Sequence, residues 1–292
     1  MSLQAFQHAS LLAYRQLTAD CGQRKMVLEK ILKAKQEEVA ARKSAVPLRD
    51  LKAQIRDLPS PRAFHQALDR RSSGGRIRLI AEVKRASPSQ GVIREELDLD
   101  RVVHAYAAAG AAALSVLTDV SFFRGSLHDL ARAKASVSLP VLRKDFILDP
   151  YQVYETRAWG ADAILLIVAV LDTHALQDLL ALSQEVGLHP LTEVHTREEL
   201  QTALGAKVPI LGINNRDLKT FQVSLETTFA LLPEIPADRV VISESGINNH
   251  TQVARLEAAG VDAILVGEGL LRAQDVEGKV RELLGIGDGG AG

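Results

Sequence analysis

Cysteine is almost absent: Cys21 stands alone in 292 residues. That excludes an intrachain disulfide framework and points to a reducing compartment, the cytoplasm. Aromatic residues are scarce at 4%, so any core must be aliphatic, and a chain that is 47% hydrophobic supplies one. No sign of charge dominates. The net charge is −1, which leaves no electrostatic footprint for nucleic acid. Long apolar runs are missing as well. The longest, Ala161 to Leu171, is interrupted by Asp162 and is too short to cross a bilayer, so no membrane contact is expected. The opening MSLQAFQHAS has no basic stretch leading into an apolar one, so no secretory signal is expected. A monomer or weak homodimer is expected.

What is present is a two-part pattern. Residues 1–76 read as a helical extension. Val27, Ile31, Ala34, Glu38 and Val39 fall near helical spacing within Met26 to Lys43, and Pro47 ends that segment. Shorter helical patterns follow at Leu48 to Asp57 and Pro61 to Arg71. From residue 77 to 284 short apolar runs alternate with amphipathic segments. The runs begin near Ile77, Ala112, Leu139, Ala163, His189, Pro209, Arg239 and Asp262. Gly110, Gly160, Gly187 and Gly260 each sit where a helix should stop. Three joints, around Gly110, Gly160 and Gly260, are near-copies. Eight strand–helix units predict an α/β fold, a closed (β/α)8 TIM barrel, over an open sheet, whose first unit would usually carry a glycine-rich phosphate fingerprint. Residues 285–292 read as a flexible tail.

Chemistry in such barrels gathers at the C-terminal strand ends. The first strand runs into IAEVKRASPS, where Glu82 and Lys84, two residues apart, share one face. Opposite charges there are costly to bury unless paired or used. Other strands end in Lys144 and Phe146, in Glu193, in Asn214 and Arg216, in Glu244, Ser245 and Gly246, and in Gly267 and Glu268. Prolines 140, 190 and 209 mark the opposite ends. Lys84 and Lys144 facing one cavity suit an anionic substrate, and crowding is expected to lower a lysine pKa toward neutrality. Glu193 is a natural general base. Arg216 offers a fork for a carboxylate. Phe122 and Phe123 are placed to pack an aromatic ring or close a lid. The small-residue turns Ser245-Gly246 and Gly267-Glu268, in consecutive strands, suit a phosphate.

These segments resemble indole-3-glycerol phosphate synthase. The resemblance rests on IAEVKRASPSQG from Ile80, SVLTDVSFFRGS from Ser115, LPVLRKDFILDPYQVYE from Leu139, GADAILLIVAVL from Gly160, LTEVH from Leu191, GINNRDLKTF from Gly212, SESGI from Ser243 and VDAILVGEGLLR from Val261. It covers roughly residues 26–272, and an N-terminal helical segment belongs to the pattern. It implies 1-(2-carboxyphenylamino)-1-deoxyribulose 5-phosphate as the phosphorylated anthranilate–ribulose substrate, with no metal and no organic cofactor. It further implies Lys144 as general acid and Glu193 as base of the dehydration. Lys84 becomes the second lysine, supported by Glu82, with Asn214 beside them. Arg216 falls on the anthranilate carboxylate site, and Ser245, Gly246, Gly267 and Glu268 on the phosphate site, Glu268 through its backbone N–H. Ser87, Phe146 and Glu244 are expected against substrate. A phosphoribosylanthranilate isomerase, the rival barrel, would use a cysteine and an aspartate, and Cys21 precedes the barrel. A barrel that only binds a phosphorylated ligand is the other alternative.

Overall fold

The computed structural model describes residues 27–88, 90–94, 96–217 and 220–287. The expectations placed on residues 1–26 and 288–292 lie outside these. Each of the eight apolar runs forms a strand: β1 (Arg78–Val83), β2 (Ala113–Leu117), β3 (Val141–Lys144), β4 (Ala163–Ile167), β5 (His189–Val194), β6 (Ile210–Asn214), β7 (Val240–Glu244) and β8 (Ala263–Val266). Each pairs in parallel with its chain neighbours. β1 also pairs with β8, from Arg78↔Ala263 to Ala81↔Val266, which closes the ring. The strands are mostly apolar because both faces are covered, the lumen on one side and helices on the other.

The outer helices start where short polar side chains can take up their free N–H groups. Asp98 caps α4 (Leu99–Ala108), Ser126 caps α5 (Leu127–Ser136), and Asp149 caps α6 (Pro150–Ala158) in a capping box with Gln152. Asp172, Thr196 and Asn249 do the same for α7 (Thr173–Glu185), α8 (Arg197–Gly205) and α10 (His250–Ala259). Between the last two lies α9 (Glu226–Leu231). Gly260 closes α10 at φ 106°, a conformation only glycine takes without strain. Short α11 (Glu268–Leu271) and α12 (Val276–Leu284) complete the barrel. The helix pattern from the sequence holds to within a residue or two for most of the outer helices, but the segment expected from Pro61 to Arg71 is helical only over Phe64–Leu68, followed by a separate tight turn at Arg70–Ser73. It did not foresee the small antiparallel ladder Ala86–Ser87 with Gly91–Val92 that shapes the loop after β1.

Alternation along the strands sorts the lumen into layers. Ile80, Leu142, Leu191 and Ile242 belong to one apolar cluster inside the barrel. Two residues further on, the same inward face carries Glu82, Lys144, Glu193 and Glu244. The lumen therefore changes from aliphatic to ionisable within one side-chain layer. Two aspartates brace the opposite end. Asp162 accepts the Val141 backbone N–H at 2.8 Å, and Asp262 accepts that of Val241 at 2.9 Å.

The segment before β1 runs the height of the barrel. Helix α1 (27–45) lies over the ionisable end, α2 (Leu48–Arg56) packs against α6, and α3 (Phe64–Leu68) closes the far end with Phe64 and Leu68 fully buried in the lumen cluster. α1 is held by a closed ring of charges. Lys35 pairs with Asp145 at 2.8 Å and Asp119 at 2.9 Å, and with Glu38 at 2.8 Å. Arg42 joins Glu38 to Glu155, and Arg143, itself fully buried, joins Glu155 at 2.9 Å to Asp145 at 3.1 Å. Burial opposes every charge in this ring, and each is matched by neighbours of opposite sign. No helix of the described residues is long and apolar enough to cross a membrane.

Candidate active site

The ionisable end of the lumen opens into a cavity of about 660 Å³. It is lined by Glu82, Lys84, Ser87, Phe123, Lys144, Phe146, Glu193, Asn214, Arg216, Glu244, Ser245, Gly246, Gly267 and Glu268. Those sequence-derived candidates, spread over 187 positions from Glu82 to Glu268, meet in one place. Phe122 does not: it is not part of the cavity lining, and its backbone N–H donates to Asp119 Oδ1 at 2.7 Å. Phe123 faces Phe146 with ring centroids 6.3 Å apart, and Val27, Leu28 and Ile31 of α1 add an apolar wall above.

Lys144 is the centre of the charge pattern. Its Nζ donates to Glu244 Oε2 at 2.7 Å and to Glu193 Oε2 at 3.1 Å. Lys84 pairs with Glu82 at 2.6 Å. Burial works against the Lys144 ammonium, yet the carboxylates of Glu193, Glu244 and Glu82 outweigh it and hold the pKa well above the ordinary lysine value. The expected drop from lysine crowding is thus reversed, because the nearest charges are carboxylates and not Lys84. Glu193 is likewise buried, but Lys144 and His195 keep it far below the usual carboxylate range. Glu244 goes the other way: burial, with Glu193 and Glu82 nearby, pushes it up to about 7 against the pull of Lys144. The two carboxylates bonded to Lys144 thus divide into an ionised one, Glu193, and a readily protonated one, Glu244.

Asn214 is hydrogen-bonded to Glu193, and its own Oδ1 accepts the Arg216 backbone N–H at 3.0 Å, which fixes the amide's direction. Its neighbour Asn215, passed over in the sequence, is buried and ties β6 to the end of β7. It donates to Ser243 Oγ at 2.9 Å and to the Ser245 carbonyl at 3.1 Å. Beyond it Ser245 and Gly246 take φ 68° and 80° in succession, turning the backbone sharply at the cavity wall. On the adjacent strand Gly267 precedes α11, whose first turn has no side-chain cap among the described residues. The Glu268 carboxylate is drawn aside by Arg272 at 3.0 Å. This end of the cavity offers backbone and hydroxyl groups with little negative charge, as an anion requires.

Two glycines make room for the carboxylates. A Cβ at Gly267 would collide with the Glu82 carboxylate, and one at Gly212 with that of Glu244. Gly267 therefore makes room for Glu82, a role the sequence reading did not give it, and the role of Gly212 went unread. Gly212→Ala is expected to push Glu244 off Lys144. Turnover should fall about tenfold or more, with a loss of ~1–3 kcal/mol in stability. Native turnover together with a native urea midpoint would mean that Glu244 has another place to go.

A closed parallel barrel whose buried, paired carboxylates and lysines gather in one cavity at its C-terminal strand ends defines a (β/α)8 barrel with its candidate active site there. Solved structures agree on the fold. The chain overlays a tryptophan synthase α-subunit from Pyrococcus furiosus with a TM-score of 0.56 at 17% identity, covering 71% of this chain and 98% of that one. It overlays 3-hexulose-6-phosphate synthase from Salmonella typhimurium at 0.55 and 13% identity, over 72% and 98% of the two chains. The family model for indole-3-glycerol phosphate synthase matches residues 28–283. Indole-3-glycerol phosphate synthases from Burkholderia ambifaria and Albidiferax ferrireducens are 52% and 49% identical over 249 residues, 85% of this chain and 94% of each relative. The chain belongs to the indole-3-glycerol phosphate synthase family.

Proposed function

We propose that this chain, as a carbon–carbon lyase of tryptophan biosynthesis, closes the indole ring of 1-(2-carboxyphenylamino)-1-deoxyribulose 5-phosphate, with Lys144 as general acid and Glu193 as general base. The observation that carries this reading is the Lys144 ammonium held between Glu193 and Glu244 at the floor of a cavity with an apolar wall at one side and an anion-binding turn at another. The substrate has matching parts. Its aromatic ring fits between Phe123, Phe146 and the α1 side chains, and its carboxylate reaches Arg216. Its phosphate fits the Ser245-Gly246 and Gly267-Glu268 turns.

Ring closure forms a carbon–carbon bond between the ring carbon bearing the carboxylate and the ribulose carbonyl carbon. The carbonyl oxygen needs a proton at that moment, and Lys144 supplies it. Carbon dioxide then leaves, and its bonding electrons return to the ring. The new hydroxyl departs as water with a proton from Lys84, which Glu82 orients, while Glu193 takes the proton released from the substrate. Glu244 keeps Lys144 in place, and Ser87 lies at the mouth of the cavity against substrate. We assign residues 77–284 as the catalytic barrel and the described residues 27–76 as a helical extension packed on it, whose α1 side chains reach the cavity. A cytoplasmic monomer or weak homodimer is the working form.

Glu193→Gln tests the division of labour. Labelled carbon dioxide should still appear in a single turnover, while formation of indole fluorescence slows by roughly 10²- to 10⁴-fold. Indole formation at the native rate would remove Glu193 from the dehydration.

A further inference from the structure

His195 stands beside the proposed base and takes no part in the chemistry above. Its ring is buried, with 5% of the side chain exposed, between two carboxylates. Nε2 lies 3.2 Å from Glu193 Oε1, and Nδ1 lies 3.0 Å from Glu199 Oε2. Glu199 is itself anchored: it accepts the His195 backbone N–H at 2.7 Å, and its own N–H donates to Thr196 Oγ1 at 3.2 Å. Thr196 caps α8, and the Glu199 side chain reaches back past it to the His195 N–H, so Glu199 is held in reach of the ring. A neutral imidazole has a single N–H. Nδ1 is hydrogen-bonded to Glu199, whereas Nε2, though 3.2 Å from Glu193 Oε1, is not aligned for a hydrogen bond there; a neutral ring protonated at Nδ1 would set the Nε2 lone pair against that carboxylate, which the imidazolium, with a proton on both nitrogens, avoids.

We infer that His195 is a positioning residue: as an imidazolium strung between Glu193 and Glu199, it fixes the Glu193 carboxylate and keeps it ionised for proton transfer. The inference rests on Glu193 being the base. Its physical reason lies in the short distance between acid and base. Lys144 Nζ is 3.1 Å from Glu193 Oε2, close enough for the two to neutralise each other in a dry site. A second cation on the other carboxylate oxygen lowers the proton affinity of Glu193. Lys144 then keeps its proton for the substrate carbonyl, and Glu193 stays empty until the dehydration.

The surroundings favour the charged ring. Burial alone would discharge it, but Glu193 and Glu199 raise its pKa to about 10. Other groups facing this chain of contacts are Lys144 from β3, Asn214 from β6 and Glu244 from β7, all reaching Glu193 and not the ring itself. The turn Val168–Val170, packed against α8, brings no charge. Because the folded pKa lies above the unfolded one, the stabilising contribution of His195 is complete below about pH 6.5 and is lost as pH rises through about 10.

Nitrogen NMR of the full chain labelled at histidine reads the inference directly, with the His195 signal assigned by its loss in His195→Gln. His195 should be doubly protonated at pH 7, and its pKa should fall in Glu199→Gln. In kinetics, His195→Gln should lose about tenfold or more in kcat per folded molecule with KM little changed, since it disturbs a group used in the reaction and not the substrate contacts. Glu199→Gln should show a smaller loss of the same kind. A merely structural histidine would lower the folded fraction and leave kcat per folded molecule intact. A neutral His195 at pH 7 in the native chain overturns the inference whether or not the variant folds. So does a kcat for His195→Gln within about twofold of native. Glu193→Gln run alongside separates the two ideas. Turnover retained there removes the base reading itself, whereas its loss beside a native His195→Gln removes only the role of His195.

Discussion

Lys144→Ala should turn over roughly 10²- to 10⁴-fold more slowly than the native chain while its circular dichroism stays native. Both halves of that expectation come from the same contacts. Lys144 is the one ammonium bonded to Glu193 and Glu244 together, so no other described side chain can protonate the carbonyl from that point. Lys84 is committed to Glu82 at 2.6 Å. The fold survives because the carboxylates left behind can share a proton, as buried like charges do. Glu244 already sits near pH 7, so little protonation is needed. Indole fluorescence with the anthranilate–ribulose phosphate, followed without added metal, gives the rate. Turnover within tenfold of native would take Lys144 out of the acid role.

Lys35→Met should cost ~3–5 kcal/mol of stability, because it removes the cation shared by two buried carboxylates, stranding Asp119 and leaving Asp145 to Arg143 alone. Methionine fills much the same volume, so the loss reports charge and not a cavity. The pH dependence has a definite sign. Lys35 is raised from 10.5 in the fold by Asp145 and Asp119, against burial, so its contribution is complete below about pH 10.5 and fades above it. Asp145, lowered from 3.8 to about 2 by Arg143 and Lys35 against burial, contributes above about pH 4 and loses that contribution as pH falls through about 2. The difference between variant and native should therefore be flat across neutral pH and shrink at both ends. Urea unfolding measures it. A loss below about 1 kcal/mol at pH 7 would mean the ring closes without its lysine. Turnover should fall too, since Asp145 adjoins Lys144 and α1 covers the cavity.

How far the sequence carried the fold is clearest in IAEVKRASPS. Strand alternation put Glu82 and Lys84 on one face, and the structure pairs them. The same two-residue step, from aliphatic to ionisable, was readable in β3, β5 and β7, and it placed nearly the whole site. Lys35 was not readable. It shares an amphipathic helix with Lys30 and Lys33, and its partners Asp119 and Asp145 lie far along the chain, so no local pattern marks it as the buried one. His195 had a signal that went unused. It stands two positions after Glu193, just past the end of β5, and four before Glu199 in the first turn of α8, a spacing that can bring the three side chains together. Phe122 and Phe123 are neighbours in a loop, where no periodicity decides which one faces inward. The lysine pKa was misjudged because residue types at strand ends say nothing about which charges lie closest.

The paired braces at Asp162 and Asp262 have a further consequence. They stand 100 positions apart, in GADAILL and GVDAILV, each locking its strand to the one before. Lys144 and Glu244 are separated by the same interval and meet across the lumen at 2.7 Å. The barrel thus reads as one passage written twice, with a cation in the first copy where the second has an anion. The first half supplies both lysines. The second supplies Glu193, Asn214, Glu244 and the turns at Ser245-Gly246 and Gly267-Glu268. Neither half holds Lys144 together with the carboxylates it pairs with, so that charge cluster exists only once the ring is closed.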